Sequence, residues 1–507
     1  MLAADYDSTA LRALLVSDAK LLSRDITEAA QLAAIIEHLC STTQSILSDF
    51  ASSWNARNPS YNVPDESLAA CFSFLPLRDR VAVSHVSRAW RHAALEFPLV
   101  WYQLDIFSAS RGPASLFEMA LSRAGRLAVE LTYVEREHAL VTMAQAVERN
   151  IHRIRSISWN SNQLDTHFPT LTGPAPLLES LITNVDPKMP EGFLGGLIGR
   201  LHAMHVPLFN LPSSCAALST VTCLQGSVPI TDGADTFSRL FKLFPQLDFV
   251  SLLGLDDSLT TMPSGPIPLS LAYLRLMEHV NGHCNLVAQY LTWRTETLRQ
   301  CDLWFPVPRA VRPTPSLCHL FAGASEISIT MPPDGKGESE IALVDSMGRI
   351  CRIICHRHHT HLAAFKAYGR LLAGVSLDCV RTLRLDSMFL ADICRLHPPQ
   401  LAHLALYIQR VDIKDGQSPP SRGSFPWDSL NPMAELGELY PKLNSLSVEI
   451  YAADADDARE LMHVLSTPDL RGLPTIHVHG FPSDFMGDVE EYARREGPIK
   501  VTYGINY

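Results

Sequence analysis

The residues most able to do chemistry are crowded into one run, Cys351-Arg352-Ile353-Ile354-Cys355-His356-Arg357-His358-His359-Thr360-His361. On a helix, Cys351, Cys355 and His358 fall along one stripe, and thiolate and imidazole ligands at that spacing suit zinc. Ile354, Leu362 and Phe365 share that side, so the residues favour a plainer reading, with the cysteines in a core and most of the histidines in solvent. The same helix would gather Arg349, Arg352, Lys366 and Arg370, with Arg357 on its other flank. Such a cluster is either a dock for a phosphate- or carboxylate-bearing tail or an ordinary solvated face. Gly323-Ala324-Ser325-Glu326-Ile327 lacks the second glycine of a nucleophile elbow. Gly192, Gly195, Gly196 and Gly199 are out of frame for a phosphate loop and no lysine follows them. The chain is therefore expected not to be an enzyme and to need no metal or cofactor. A metal hydrolase built on the cysteine/histidine run is the enzyme alternative.

Composition limits what must position such residues. The 507 residues are 47% hydrophobic and 19% charged, enough to bury a large core and too apolar for wholesale disorder. Lys+Arg is 42 against Asp+Glu 53, a net charge of −11 that argues against sequence-independent nucleic-acid binding. The 11 cysteines are scattered, odd in number and free of any Cys-x-x-Cys pair, as expected of reduced buried thiols. The first residues carry Asp5 and Asp7 and no basic stretch before an apolar run. The longest apolar candidate, Gly192 to Phe209, is broken by Arg200, two histidines and Pro207. The expectation is an intracellular protein, cytoplasmic or nuclear, with neither membrane nor nucleic acid as partner.

Asp7 to Trp54 contains neither proline nor glycine. Leu11, Leu14, Leu15, Ala19 and Leu22, then Ile26, Ala29, Leu32, Ile35, Ile36 and Leu39, recur at helical steps. Ser23 or Asp25 could cap a second helix, so one long helix or two in line are expected. No clean heptad survives in the run. An amphipathic helix folded back on the chain is favoured, with a coiled-coil partner helix as the alternative. Asn55 to Val63 is polar and turn-rich, and Pro64 suits a helix start.

From Val63 to Trp101 the pattern predicts three short helices. The first carries Leu68, Cys71, Phe72 and Leu75 on one side and ends at Pro76. The second, capped by Asp79, carries Val81, Val83, Val86 and Trp90. The third holds Ala93, Ala94 and Leu95 before Pro98. About forty residues are too few to stand alone with this much apolar surface, so the segment should dock on something.

This segment resembles the F-box of fungal F-box proteins with leucine-rich repeats. The resemblance rests on Val63-Pro64 with Glu66 and Leu68, on Phe72, Leu75 and Pro76-Leu77-Arg78-Asp79, on Val83-Ser84-His85-Val86-Ser87-Arg88-Ala89-Trp90-Arg91, and on Leu99-Val100-Trp101. Arg80 stands where leucine is common, and Ser87 where cysteine is frequent. The resemblance implies binding to a Skp-type adaptor and through it to a cullin, with Pro64, Leu68, Phe72, Leu75, Val83, Val86 and Trp90 as adaptor-facing or module-core contacts.

After Trp101 one phrase returns, apolar-x-x-apolar-x-apolar. It begins as Ile154/Ile157/Trp159, Leu178/Leu181/Thr183, Leu201/Met204/Val206 and Leu218/Val221/Cys223. It goes on through Leu247/Val250/Leu252, Leu271/Leu274/Leu276 and Ala324/Ile327/Ile329 to Leu473/Ile476/Val478. Most steps lie near the ~20–29 residues of a leucine-rich repeat, each phrase being a strand that points its period-two apolar residues into a shared core. Glu340 to about Leu372 is expected to be helical, and Lys414 to Trp427 to be a loop. The fold class expected is α/β, with N-terminal helices and a three-helix F-box followed by a leucine-rich-repeat solenoid. The domains would be 1–54, 60–105 and 106–507, with inserts near 335–372 and 412–430. The function implied is substrate recognition in a cullin-type (SCF) ubiquitin ligase, the array holding an unknown protein substrate. An adaptor-independent interaction scaffold is the alternative.

Overall fold

A short strand that recurs along a chain satisfies its edge hydrogen bonds most simply by pairing with the strands before and after it. The computed structural model shows that outcome. It describes residues 29–55, 63–107, 112–135, 141–161, 168–208, 211–228, 239–255, 267–279, 286–293, 296–305, 315–330, 338–355, 368–408, 436–450, 476–479 and 499–501, with positions 13, 16–21, 57, 430 and 433. The chain divides into two units, Met1–Gln103 with Ala120–Leu127, and Leu104–Met119 with Ala128–Tyr507.

The first unit is helical: α1 (Ala29–Asn55), α2 (Asp65–Ser73), α3 (Leu77–Val83), α4 (Arg88–Glu96) and a 3-10 turn, Pro98–Trp101. The caps Ser23 and Asp25 lie outside the described residues. Pro64 and Pro76 are the N-cap residues of α2 and α3, so Asp79 sits inside the first turn of α3 instead of capping it. The second helix ends at Val83, not beyond Trp90. Ser87 ends the intervening turn, and its hydroxyl accepts a hydrogen bond from the Trp90 amide at 3.1 Å, which starts α4.

The second unit is built on a mixed, open sheet. Its strands are β1 (Gln103–Phe107), β2 (Val129–Glu135), β3 (Ile154–Ser161), β4 (Ser180–Thr183), β5 (Ala203–His205) and β6 (Cys223–Ser227). Then come β7 (Phe249–Leu255), β8 (Tyr273–Glu278), β9 (Gln300–Phe305), β10 (Ala324–Thr330), β11 (Ser339–Asp345) and β12 (Ile350–Cys355). The last are β13 (Thr382–Asp386), β14 (His403–Ile408), β15 (Ser445–Ile450), β16 (Ile476–His479) and β17 (Ile499–Val501). From β2 to β9 each strand is parallel to the next, and so are β13 to β17. Between these runs the order reverses: β12 lies parallel beside β9, β11 is antiparallel to both β12 and β10, and β10 lies parallel beside β13.

The register explains why the chain folds this way. Leu131, Ile157, Leu181, Met204, Leu224, Val250, Leu274 and Cys301 stand side by side across eight strands. The row continues through Cys351, Leu343, Ile327, Leu383, Leu404, Leu446, Ile476 and Ile499. Its members from Leu131 to Leu446 are buried. Each Leu or Ile removed from water contributes roughly 1.5–3 kcal/mol, and a one-residue slip would turn that strand's whole apolar set outward. Alternate positions are half-exposed, as in β2 and β8, so one face makes the core and the other stays open.

Two expectations are corrected. Glu340 to about Leu372 is not one helix: it opens with the hairpin β11–β12. Ile341 and Leu343 alternate with half-exposed neighbours, Gly348 takes a φ of +76° in the turn, and the Asp345 carboxylate accepts from the Met347 and Arg349 amides at 2.8 and 3.0 Å. In the fourth phrase the buried row residue is Leu224, not Val221, so that phrase reads Val221/Leu224/Gly226. Its flanking steps become 20 and 26 residues in place of 17 and 29. Lys414 to Trp427 lies outside the described residues.

Candidate functional site

The first unit concentrates its apolar residues in one small cluster. Leu68, Ala69 and Phe72 of α2 and Ala93 and Ala94 of α4 are buried, and the Phe72 and Trp90 rings meet at 5.3 Å, tilted by 52°. Trp101 is fully buried, donates from Nε1 to the Ala94 carbonyl at 2.6 Å, and lies 4.5 Å below the Arg123 guanidinium.

Arg80 holds the corners together. It is 2% exposed, and its guanidinium donates to the carbonyls of Leu75 at 2.5 Å, Val100 at 2.9 Å and Gln103 at 2.6 Å. A planar fork with several donors can tie three chain segments at once, which the leucine common at this place cannot do. Arg91 donates from Nε to the Ser84 carbonyl at 2.9 Å, fixing the turn before α4.

The seven residues singled out in the sequence separate by exposure. Leu68 and Phe72 are inside, Leu75, Val83 and Trp90 are half-buried, and Pro64 and Val86 are in solvent. Phe74, the residue that ends α2, is not among the seven and is 89% exposed. With Val86 at 61% and Leu99 at 61%, it gives this small module large apolar side chains that its own core does not use. The signal was present: Phe74 is an aromatic off the Leu68–Phe72–Leu75 stripe, immediately before Leu75-Pro76.

That combination, a three-helix corner pinned by its own core and bearing unused apolar side chains, invites comparison with known families. Residues 61–107 match the F-box-like family model. The F-box-like domain therefore covers the whole cluster from Val63 to Trp101. No curated protein matches the chain.

Beyond the F-box-like domain, the open sheet face carries an aromatic and charged patch on β7, β8 and β9. Phe249 and Tyr273 stack at 4.7 Å with an interplanar angle of 6°. The Arg275 guanidinium lies 5.8 Å from the Tyr273 ring and 5.4 Å from that of Trp304. The buried Asp302 carboxylate accepts from the Tyr273 hydroxyl and from Gln300 Nε2 at 3.1 Å, and stands 3.5 Å from Arg275. Burial, then the Asp302 carboxylate, pushes the Tyr273 phenol up, so it keeps its proton and the hydrogen bond at neutral pH. On the neighbouring strands Arg352 faces Glu340 at 3.5 Å.

Cys351 and Cys355 of the cysteine/histidine run lie on a strand and not on one face of a helix. Cys351 and Cys355 are buried on β12, and Cys351 stands opposite Cys301 of β9. Burial pushes the Cys355 thiol up to about 12, so it is protonated in the core. His356 to His361, with Arg357, lie outside the described residues, among which no cluster of three metal-binding side chains occurs. Of the basic cluster, Arg349 is paired with Asp345 at 2.7 Å and Arg352 with Glu340 at 3.5 Å, Arg370 is exposed, and Arg357 and Lys366 lie outside the described residues. No helix of the described residues is long and apolar enough to cross a membrane.

Proposed function

We propose that this chain is the substrate-recognition subunit of a cullin-type (SCF) ubiquitin ligase. Its F-box-like domain takes the Skp-type adaptor, and its strand array, a degenerate leucine-rich-repeat solenoid, holds the target protein. The observation that carries the reading is the F-box-like domain at residues 61–107, with Phe74, Val86 and Leu99 exposed on it. Catalysis then belongs to the partners, and this chain contributes proximity. The target face we favour is the open strand face around Tyr273, Arg275 and Trp304, because aromatic and arginine side chains on a rigid sheet are the residue types that dominate protein interfaces.

The test is co-purification with a Skp-type adaptor, comparing the parent with a Phe74→Ala/Val86→Asp variant. Both positions are in solvent, so the variant keeps its circular dichroism, whereas Leu68→Asp would place a charge in the module core and unfold it. Stoichiometric capture by the parent and at least a tenfold loss in the variant are expected. A folded parent that captures no adaptor would leave the adaptor-independent scaffold as the function.

A further inference from the structure

The patch on β7, β8 and β9 is built round one arginine with donors to spare. A guanidinium carries five N–H groups. Among the described residues Arg275 makes one hydrogen bond, from Nη2 to the Tyr273 hydroxyl at 3.1 Å, and the same nitrogen makes its ion pair with Asp302 at 3.5 Å. Its Nε is buried without a hydrogen-bond partner there, and Nη1 makes no bond. Asp302 is already occupied, accepting from Tyr273 and from Gln300 as well. The Asp302 side chain is 4% exposed and that of Arg275 34%, so the pair turns its cationic member outward.

The surroundings of Arg275 suit an anion set between apolar groups. Two residues away on either side of it along β8, Tyr273 and Met277 share its face of the sheet, and their register neighbours are Phe249 and Trp304. Acidic residues are scarce around it. The two open-face rows that flank the buried row run from Ser156 to Gln300 and from Ser158 to Asp302 across β3 to β9. In a chain with 53 acidic residues against 42 basic, the one carboxylate in those rows is the buried Asp302. A carboxylate brought to Arg275 from outside therefore meets no exposed acidic side chain along them.

We infer that this face selects target proteins by an aspartate or glutamate set between large apolar side chains. The carboxylate takes the unused donors of Arg275, and its apolar neighbours rest on Phe249 and Tyr273 to one side and on Met277 and Trp304 to the other. The inference rests on the reading of this face as the target site and names the chemistry that the site reads. A phosphate fits less well. Arg275 is already half-balanced by Asp302, and Arg352, next in the row, is paired with Glu340 at 3.5 Å, so a dianion would find too little positive charge. A basic segment would meet the guanidinium first.

The experiment is selection of a random twelve-residue peptide library on the immobilised full chain, followed by fluorescence anisotropy with a selected peptide. Enrichment of Asp or Glu flanked by Leu, Met or aromatic residues is expected. Replacing that Glu by Gln in the peptide should weaken binding about tenfold, and Arg275→Gln in the chain should weaken the Glu peptide about as much. The Gln peptide should bind parent and Arg275→Gln alike, which a general loss of structure would not allow. Should Arg275→Gln fail to fold, Arg275→Lys keeps the pair with Asp302 but offers no fork, and should still weaken the Glu peptide at least threefold. Selection of no peptide, of peptides without acids or of basic ones would overturn the inference. So would unchanged binding in both variants, or tighter binding when phosphoserine replaces the Glu. Adaptor capture separates the two readings. Peptide binding kept by a chain that captures no adaptor would defeat the ligase reading alone, and adaptor capture without acidic-peptide binding would defeat this inference alone.

Discussion

Two buried charged residues show how single side chains decide local stability here. Asp386 ends β13, is 2% exposed, and accepts the Met388 amide at 3.0 Å as the cap of the next turn, while its second oxygen has no hydrogen-bond partner among the described residues. Burial pushes its carboxyl up to about 6, against the lowering effect of the Met388 amide. Between roughly pH 4 and 6 the folded chain therefore holds a proton that the unfolded chain has released, and stability falls as pH rises through that window. Asp386→Asn keeps the capping oxygen and removes the charge. Its melting temperature relative to the parent should rise by about 2–4 °C between pH 4.5 and 7.5, and parallel curves would refute the assignment. Arg80 works the other way: three carbonyls depend on it. Arg80→Ala should destabilise the F-box-like unit by about 2–4 kcal/mol in chemical denaturation. Arg80→Lys should restore little of that, since an ammonium cannot span three carbonyls set around a planar fork.

At the scale of elements, the strands are fixed by what lies under them. Gly226 of β6 is the sharpest case, because a Cβ there would lie 2.6 Å from the Val206 carbonyl oxygen and from Leu208 Cγ. Backbone cannot yield as a side-chain tip can, so Gly226→Ala should cost about 1–3 kcal/mol, read as a drop in unfolding midpoint. The hairpin β11–β12 shows the opposite freedom. It enters the sheet in reverse, and β12 takes the place beside β9 that the next strand in sequence, β10, would otherwise have filled. The row survives because Cys351 and Leu343 supply the apolar residues the register requires.

For the whole molecule, the consequence of such a sheet is locality. Each strand pairs with its neighbours in the sheet, so a fault in one place is felt nearby and fades with distance. In Gly226→Ala, amide exchange measured on the intact protein should quicken in β5, β6 and β7 and stay unchanged in β14 and β15. A uniform increase would mean that the array opens as one cooperative body.

The F-box-like module and most of the strands were legible in the sequence, because both are written in local spacing. Leu68, Phe72 and Leu75 follow a helical stripe, and phrases such as Leu247/Val250/Leu252 and Leu271/Leu274/Leu276 recur at near-constant steps. Val250 and Leu274 take the places in the buried row that those phrases require. What the residues alone left open were choices that depend on what packs against what. Glu340 to Cys355 carries helix-compatible spacing, and only the neighbouring strands β9 and β10 make it a hairpin. Phe74 and Arg80 exchange the places their types suggest, an aromatic outside and a guanidinium inside, because three carbonyls converge on one point and the ring lies off the stripe that packs. Periodicity determines which residues share a face. Tertiary structure decides whether that face is core or surface, because burial is a property of neighbours distant in the chain.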